Sequence, residues 1–301
     1  MSSGDFHPEL RRVARFLPRG LVSRRTLPLF RALSLLHLPG RHDDVEVLKL
    51  STGAGVRLHR PLEPAATSGA LLWIHGGGYL LGSARQDDQL CRRLAQELGI
   101  TVGSVEYRPA PEHPFPAALD DCYAALQRLL ALPGVDPARV AIGGASAGGG
   151  LAAALALITR DRGEITPALQ LLVYPMLDDR TVAKSPMDAR NYRVWTESSN
   201  RFGWAAYLGN ANPDIAVPAR NADLAGLPPA WIGVGTHDLF HDEDLAYAER
   251  LKKAGVPCRV DVVPGAFHGF DTIAPGAPVS RSFFDSQCAS LREALTAGSA
   301  A

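Results

Sequence analysis

The sequence predicts an α/β fold in which a mostly parallel central sheet carries helices on both faces, with a helical cap over one end. Three observations predict it. From about Asp43 onward, short apolar runs of strand type alternate with segments of helical period, the pattern of a parallel sheet and its crossover helices. A serine between glycines and alanines, Gly144-Ala145-Ser146-Ala147-Gly148, stands at one strand-to-helix junction. Residues 178–215, between two of the strands, hold Trp195, Phe202, Trp204 and Tyr207 with no strand signal, as in an insertion whose aromatics pack on something outside the sheet.

The elements follow in order. Residues 1–42 are basic amphipathic pieces broken by Pro18, Pro28 and Pro39, and are expected to form an N-terminal cap segment. The remaining residues, 43–301, are expected to form the main domain, with a cap insertion at about 178–215. Val45–Leu50 alternates apolar and polar residues as a half-buried strand does, and Gly55–Arg60 returns beside it. Ala70–Ile74 is a short apolar strand ending in His-Gly-Gly-Gly. Gln86–Leu98 has helical spacing, with Leu90, Leu94 and Leu98 on one face, and stops at Gly99. Thr101–Tyr107 is the next strand, followed by a proline-rich stretch and a helix from about Pro116 to Ala131. Arg139–Ile142 is a strand, and Ala147–Thr159 an alanine- and leucine-rich helix. Leu169–Tyr174 and Ala230–Val234 are further buried strands. Asp242–Ala254 is a helix ending at Gly255, Arg259–Val263 the last strand, and Ser282–Leu295 the closing helix. Ligands of open α/β sheets bind beyond the carboxyl ends of the strands, where the cap is expected to lie.

Bulk properties narrow the function classes. Lysine plus arginine equals aspartate plus glutamate at 31 each in 301 residues, so the formal net charge is zero. No basic excess invites nucleic acid or an anionic membrane surface, which leaves a small molecule as the expected partner. The four cysteines, Cys91, Cys122, Cys258 and Cys288, lie far apart with no C-x-x-C pair, as four reduced cysteines would. No continuous apolar stretch of signal-peptide form stands near the N-terminus, where Arg11, Arg12 and Arg15 interrupt Leu10 to Leu17, and no run of about 18 apolar residues suggests a membrane span. These features lead us to expect a cytoplasmic protein.

The chemistry begins at Ser146. A nucleophile on a sharp strand-to-helix turn needs little bulk on either flank, because strand and helix approach closely there, and two glycines and two alanines supply that. The helix N-terminus adds a free N–H, that of Ala147, for a developing oxyanion. The spacing is neither that of a phosphate-binding P-loop, which needs a lysine, nor G-x-G-x-x-G. His75-Gly76-Gly77-Gly78 supplies a second feature. Consecutive glycines let the backbone approach a substrate and turn successive N–H groups into one hollow, so Gly77, Gly78 and Ala147 are candidate oxyanion donors. His75 itself is expected to hold the loop.

The serine needs a base. Of nine histidines, His268 stands in the loop after the last strand, within Gly265-Ala266-Phe267-His268-Gly269-Phe270. The acid should follow the preceding strand, where Gly235-Thr236-His237-Asp238 ends it. Asp242, Glu243 and Asp244 open the next helix and are expected simply to complement its dipole. That leaves Ser146, Asp238 and His268 in the chain order serine, aspartate, histidine. A metal reading of His237, Asp238, His241 and Asp242 lacks the H-E-x-x-H pattern, so no metal or other cofactor is expected. Tyr79, Trp195, Phe202 and Trp204 are the candidates for lining a substrate pocket.

Together these motifs resemble the hormone-sensitive-lipase-like family of α/β-hydrolases, which includes many bacterial esterases. The resemblance runs from His75-Gly76-Gly77-Gly78-Tyr79 through Tyr107-Arg108-Pro109-Ala110-Pro111-Glu112-His113-Pro114-Phe115-Pro116-Ala117, Gly144–Gly149, Tyr174-Pro175 and Asp238–Glu243 to Phe267-His268-Gly269-Phe270. It departs at Ala145, where the family usually has aspartate or threonine, at Pro109, and at Leu239-Phe240. None of these removes a triad member or an oxyanion donor. The resemblance implies an α/β-hydrolase fold, a serine carboxylesterase acting on short to medium acyl esters, and an oxyanion hole of Gly77, Gly78 and Ala147. It also allows a homodimer paired through the edge of the last strand. An amidase or carbamate hydrolase would use the same residues, and a small-molecule binder could share the scaffold.

Overall fold

In the computed structural model, residues 6–20, 22–35, 45–63, 65–182 and 189–297 are described. Residues 1–5, 21 and 36–42 of the expected N-terminal segment, and 183–188 of the expected insertion, lie outside them. Eight strands are present among the described residues: β1 Glu46–Lys49, β2 Gly55–His59, β3 Ser68–Ile74, β4 Thr101–Glu106, β5 Val135–Ala145, β6 Gln170–Val173, β7 Ala230–His237 and β8 Cys258–Phe267. They form one sheet in the order β1-β2-β4-β3-β5-β6-β7-β8. The β1–β2 and β2–β4 pairs are antiparallel, and every later pair is parallel.

Strand periodicity divides the core between the two faces. In β3, Leu72 and Ile74 point into one apolar layer, and Leu71 and Trp73 into the other. Helices Ala117–Leu130, Ala147–Arg162 and His241–Lys253 cover the first face; helices Asp88–Leu98 and Pro278–Ala297 cover the second. β3 is buried along its whole length, which is why it reads as a continuous apolar run.

β5 and β8 run furthest beyond their apolar runs. β5 extends back to Val135 through a register shift between Ser68 and Ala70 of its neighbour. β8 extends to Phe267 across a register shift between Gly235 and His237. Pro264 lies within β8, where the edge position leaves no ladder hydrogen bond for its missing N–H to break. The extension brings the chain to His268 straight out of the sheet.

The N-terminal residues and the 189–208 stretch touch each other and the sheet. Arg193 donates to the carbonyl of Ala14, Val194 N–H to Pro18, and Ser199 Oγ to Val22. Arg31, on helix Leu27–Leu35, donates to the carbonyls of Leu80 and Ala110 and pairs with Glu112 at 2.6 Å. No helix among the described residues is long and apolar enough to cross a membrane. All four cysteines are free; Cys91, Cys122 and Cys288 are buried.

Candidate active site

Ser146 sits at the junction of β5 and helix Ala147–Arg162 with φ 58° and ψ −121°, a left-handed backbone that a non-glycine residue adopts only when its surroundings enforce it. The enforcement is visible. Ser146 N–H donates to Val173 at 2.9 Å, and its carbonyl accepts from Gly150 and Met176. The flanking glycines are required by a close crossing of β3. A Cβ on Gly148 would lie 2.0 Å from the Ile74 carbonyl oxygen, and one on Gly144 would lie 2.5 Å from the same atom.

The residues expected from three separate loops meet here. His268 Nε2 lies 2.9 Å from Ser146 Oγ, and His268 Nδ1 lies 2.8 Å from Asp238 Oδ2. Asp238 Oδ1 accepts the Phe240 N–H at 3.0 Å, so both carboxylate oxygens are engaged. Ser146, Asp238 and His268 are each at least nine-tenths buried. The edges of Tyr174 and Phe240 flank the imidazole at 4.8 and 5.2 Å between ring centres, which holds its plane. This arrangement can take a proton from a serine hydroxyl and hold the resulting imidazolium beside a carboxylate.

The glycine loop is equally constrained. Gly77 has φ +132° and Gly78 φ +61°. A Cβ on Gly77 would come 1.8 Å from the Leu81 carbonyl oxygen, and one on Gly78 would meet the Trp195 ring at 2.0 Å. The Gly77 carbonyl turns away to accept Leu80 and Leu81 N–H groups. Among the described residues, the N–H groups of Gly77, Gly78 and Ala147 have no protein acceptor. His75 stacks on Tyr107 at 4.2 Å, and its Nδ1 lies 2.7 Å from the Gly76 carbonyl oxygen. Burial pulls the His75 pKa down to about 4, against that hydrogen bond, so the ring is neutral and its Nδ1–H pins the loop.

A cavity of about 260 Å³ opens onto Ser146. Gly76, Gly77, Gly78, Ala145 and His268 line it, with Val22 and Phe30 from the N-terminal segment and Val194 and Trp195 from the insertion. Of the four aromatics expected in the pocket, Trp195 lines this cavity; Tyr79, Phe202 and Trp204 do not. The positive φ of Tyr79, 64°, turns its side chain behind the glycine loop. There its hydroxyl donates to Met176 and its ring stacks on Tyr207 at 4.0 Å, with Trp204 at 5.1 Å. Phe202 packs half-buried on the same layer. These three rings join insertion to core.

The acids that open the next helix do more than complement its dipole. Glu243 and Asp244, in the first turn of that helix, are also buried carboxyls. Glu243 accepts from the N–H groups of Leu177 and Asp178, which anchors the start of the insertion, and burial still pushes its pKa up to about 8. Among the described residues neither oxygen of Asp244 has a partner, and burial, with Glu243 and Asp238 adding, holds it well above the usual carboxylate range. His241 Nδ1 pairs with Asp242 while Asp238 faces His268, so no three metal-binding side chains gather among the described residues.

The sequence also left lining residues unnoticed. Asp87 and Gln86 reach the cavity from the 3-10 turn Ala84–Asp87, Tyr174 from the end of β6, and Thr272 and Ile273 from the turn after His268. Only Gly76–Gly78 and the turn after His268 carried any hint in sequence, through their glycines.

Comparison with known proteins gives the same picture. A family profile described as alpha/beta hydrolase fold matches residues 71–272. The carboxylesterase NlhH of Mycobacterium tuberculosis is 34% identical over 259 residues, covering 82% of this chain and 80% of that protein. An ethyl acetate hydrolase of Pseudomonas putida is 35% identical over 243 residues, 76% of each chain. Among solved structures, a bacterial heroin esterase superposes with a TM-score of 0.85 at 36% identity, over 96% of this chain and 98% of that one.

Proposed function

Because this chain belongs to the α/β-hydrolase family, within its hormone-sensitive-lipase-like branch, we propose that it is a serine carboxylic-ester hydrolase acting through an acyl-enzyme on Ser146. The observation that carries this is the continuous hydrogen-bonded chain from Ser146 Oγ through His268 to Asp238. The named relatives, a carboxylesterase, an ethyl acetate hydrolase and a heroin esterase, support esters as the substrates over amides or carbamates, and a catalyst over a binder.

The mechanism follows from those contacts. Neutral His268 takes the Ser146 proton on Nε2 as Oγ attacks the ester carbonyl, and Asp238 holds Nδ1–H and steadies the imidazolium. The carbonyl oxygen, now anionic, takes the N–H groups of Gly77, Gly78 and Ala147. Such donors are each worth about 10²–10³ in rate when fixed in advance. His268 then protonates the leaving alcohol, the tetrahedral adduct collapses, and water repeats the sequence to release the acid. No step calls on a metal or cofactor.

Residues 1–42 and 178–215 serve in this reading as a cap. It is supported by Val22, Phe30, Val194 and Trp195, which close one side of the cavity. A volume of about 260 Å³ suits short and medium acyl chains better than long ones. Four free cysteines support a cytoplasmic setting. The outer side of β8, uncovered by any described strand, is where a second copy would pair to give a homodimer; the mass in solution tests that.

The decisive experiment is hydrolysis of p-nitrophenyl esters from acetate to palmitate by the wild type and by Ser146→Ala. Turnover of the shorter esters that the substitution cuts by about 10⁴ or more establishes the reading. A wild type inert on every chain length, or a variant equally active, overturns it.

A further inference from the structure

The cavity on Ser146 has an uneven chemistry. It is mostly apolar, with Phe30, Tyr174 and Trp195 among its walls, and no lysine or arginine lines it among the described residues. Yet it holds one carboxylate, Asp87. Asp87 Oδ2 accepts from Trp73 Nε1 at 2.8 Å, and no cationic side chain pairs with it among the described residues. Its neighbour Asp88 is the opposite case. Arg57 grips both Asp88 oxygens at 2.8 and 2.6 Å, and His59 Nε2 lies at 3.3 Å. One of two adjacent carboxylates is thus neutralised within the fold, and the other is turned to the substrate cavity without a countercharge.

We propose that Asp87 and the aromatic side chains of this cavity recognise a cationic ammonium group, so that the preferred substrates are esters carrying a positively charged nitrogen in the acyl or alcohol part. The inference rests on the esterase reading of the same cavity and names its substrate class. A carboxylate beside aromatic rings in a mostly apolar pocket is the chemistry that receives an alkylammonium ion, through charge and through the ring faces. A cavity of about 260 Å³ shared with Ser146 keeps that ion within a few bonds of the ester carbonyl.

The electrostatics agree. Burial pushes the Asp87 carboxyl up to about 7, against the Trp73 hydrogen bond, and Asp271 and Asp88 add to the rise. The other groups facing it, Cys91 from helix Asp88–Leu98, Tyr107 after β4 and Tyr174 after β6, bring no positive charge. Arg57 and His59, beside Asp88, are both held by it. A bound cation supplies what these neighbours do not. The carboxylate form grows as pH rises through about 7, so the preference for a cationic ester grows with it and fades in acid.

The test compares acetylcholine with the neutral ester of the same shape, in which a tert-butyl group replaces the trimethylammonium. The charge of acetylcholine does not change with pH. A second pair carries the same two groups at the end of the acyl chain of a p-nitrophenyl ester. The ratio of kcat/KM, cationic over neutral, is measured for wild type, Asp87→Asn and Asp87→Glu. Any general damage to the triad cancels in the ratio. We expect the wild type to favour the cationic member of at least one pair, the ratio to fall by about tenfold or more in Asp87→Asn, and Asp87→Glu to retain most of it. If the variants do not fold, the wild-type ratio alone decides, since it must rise as pH passes about 7. Turnover of the neutral esters with no preference for charge, or a pH-independent ratio, overturns the proposal and leaves the esterase standing. Failure to hydrolyse any ester overturns both.

Discussion

Replacing Asp238 by asparagine changes one atom and asks the site to choose between two hydrogen bonds. In the wild type one oxygen of Asp238 accepts from His268 Nδ1–H and the other from the Phe240 N–H. An asparagine has one oxygen and one NH₂ for these two donors. With the oxygen on Phe240, the NH₂ faces His268 Nδ1, forces the proton to Nε2, and leaves the imidazole unable to accept from Ser146. With the amide reversed, the productive tautomer survives, but NH₂ confronts the buried Phe240 N–H and a hydrogen bond is lost, at about 1–3 kcal/mol. Either way the anion that steadies the imidazolium is gone, worth about 2–3 kcal/mol for a hydrogen bond to a buried charge. Together these give about 3–6 kcal/mol of barrier, or about 10²- to 10⁴-fold in kcat for p-nitrophenyl acetate. Because shape is conserved, the thermal midpoint should shift little. A folded Asp238→Asn protein within about tenfold of wild type would show that Asp238 does not orient the base.

Three further outcomes follow from particular contacts. Gly77→Ala sets a methyl group against the Leu81 carbonyl oxygen at a φ of +132°, so it should cost at least about 10² in kcat/KM by displacing an oxyanion donor; ester assays on the folded variant check this. Trp195→Leu removes ring bulk from the cavity wall beside Gly78, and should raise the ratio of octanoate to acetate turnover; an unchanged ratio would assign Trp195 to packing alone. Glu243, with its pKa pushed up to about 8, binds its proton more tightly folded than unfolded, so its share of stability is present in acid and falls as pH rises from the ordinary glutamate range through about 8. Melting midpoints from pH 5 to 9 should therefore fall less steeply in Glu243→Gln than in the wild type.

The parts of this protein legible in sequence are those fixed by local rules. The strands of the parallel sheet read as apolar runs because β3, β6, residues 140–144 of β5 and residues 230–235 of β7 are buried on both faces. Ser146, the glycine loop and His268 read clearly because a tight turn or a close crossing tolerates few residue types. The pocket walls were illegible for the same reason in reverse. Tyr79 and Trp195 are both large aromatics near the glycine loop, and only the positive φ of Tyr79 sends one behind it while the other lines the cavity. Asp87 and Asp88 are adjacent and identical in type. Only the fold puts Arg57 beside one and the cavity beside the other. Glu243 and Asp244 occupy a helix first turn, where acids are common, and nothing local tells that the turn is buried under the insertion.

This division of labour has a consequence for how substitutions should sort. The groups proposed to react emerge from the ends of β5, β7 and β8, and the pairing of these strands with their neighbours continues almost to those positions: Ala145 of β5 pairs with Val173 of β6, and His237 of β7 with Phe267 of β8. A shift of one such strand would have to drag the ladder with it, so the triad geometry is held by the sheet. The cavity walls at Val22, Phe30, Val194 and Trp195 come instead from segments held by scattered bonds: Arg31 donates to the Leu80 carbonyl, while Arg193 and Ser199 tie the two segments to each other. Changes there should redistribute kcat/KM among esters while a small activated ester still turns over. Changes at strand ends should lower every substrate together. A cap substitution that abolished turnover of p-nitrophenyl acetate without unfolding the protein would show that the cap also sets the triad.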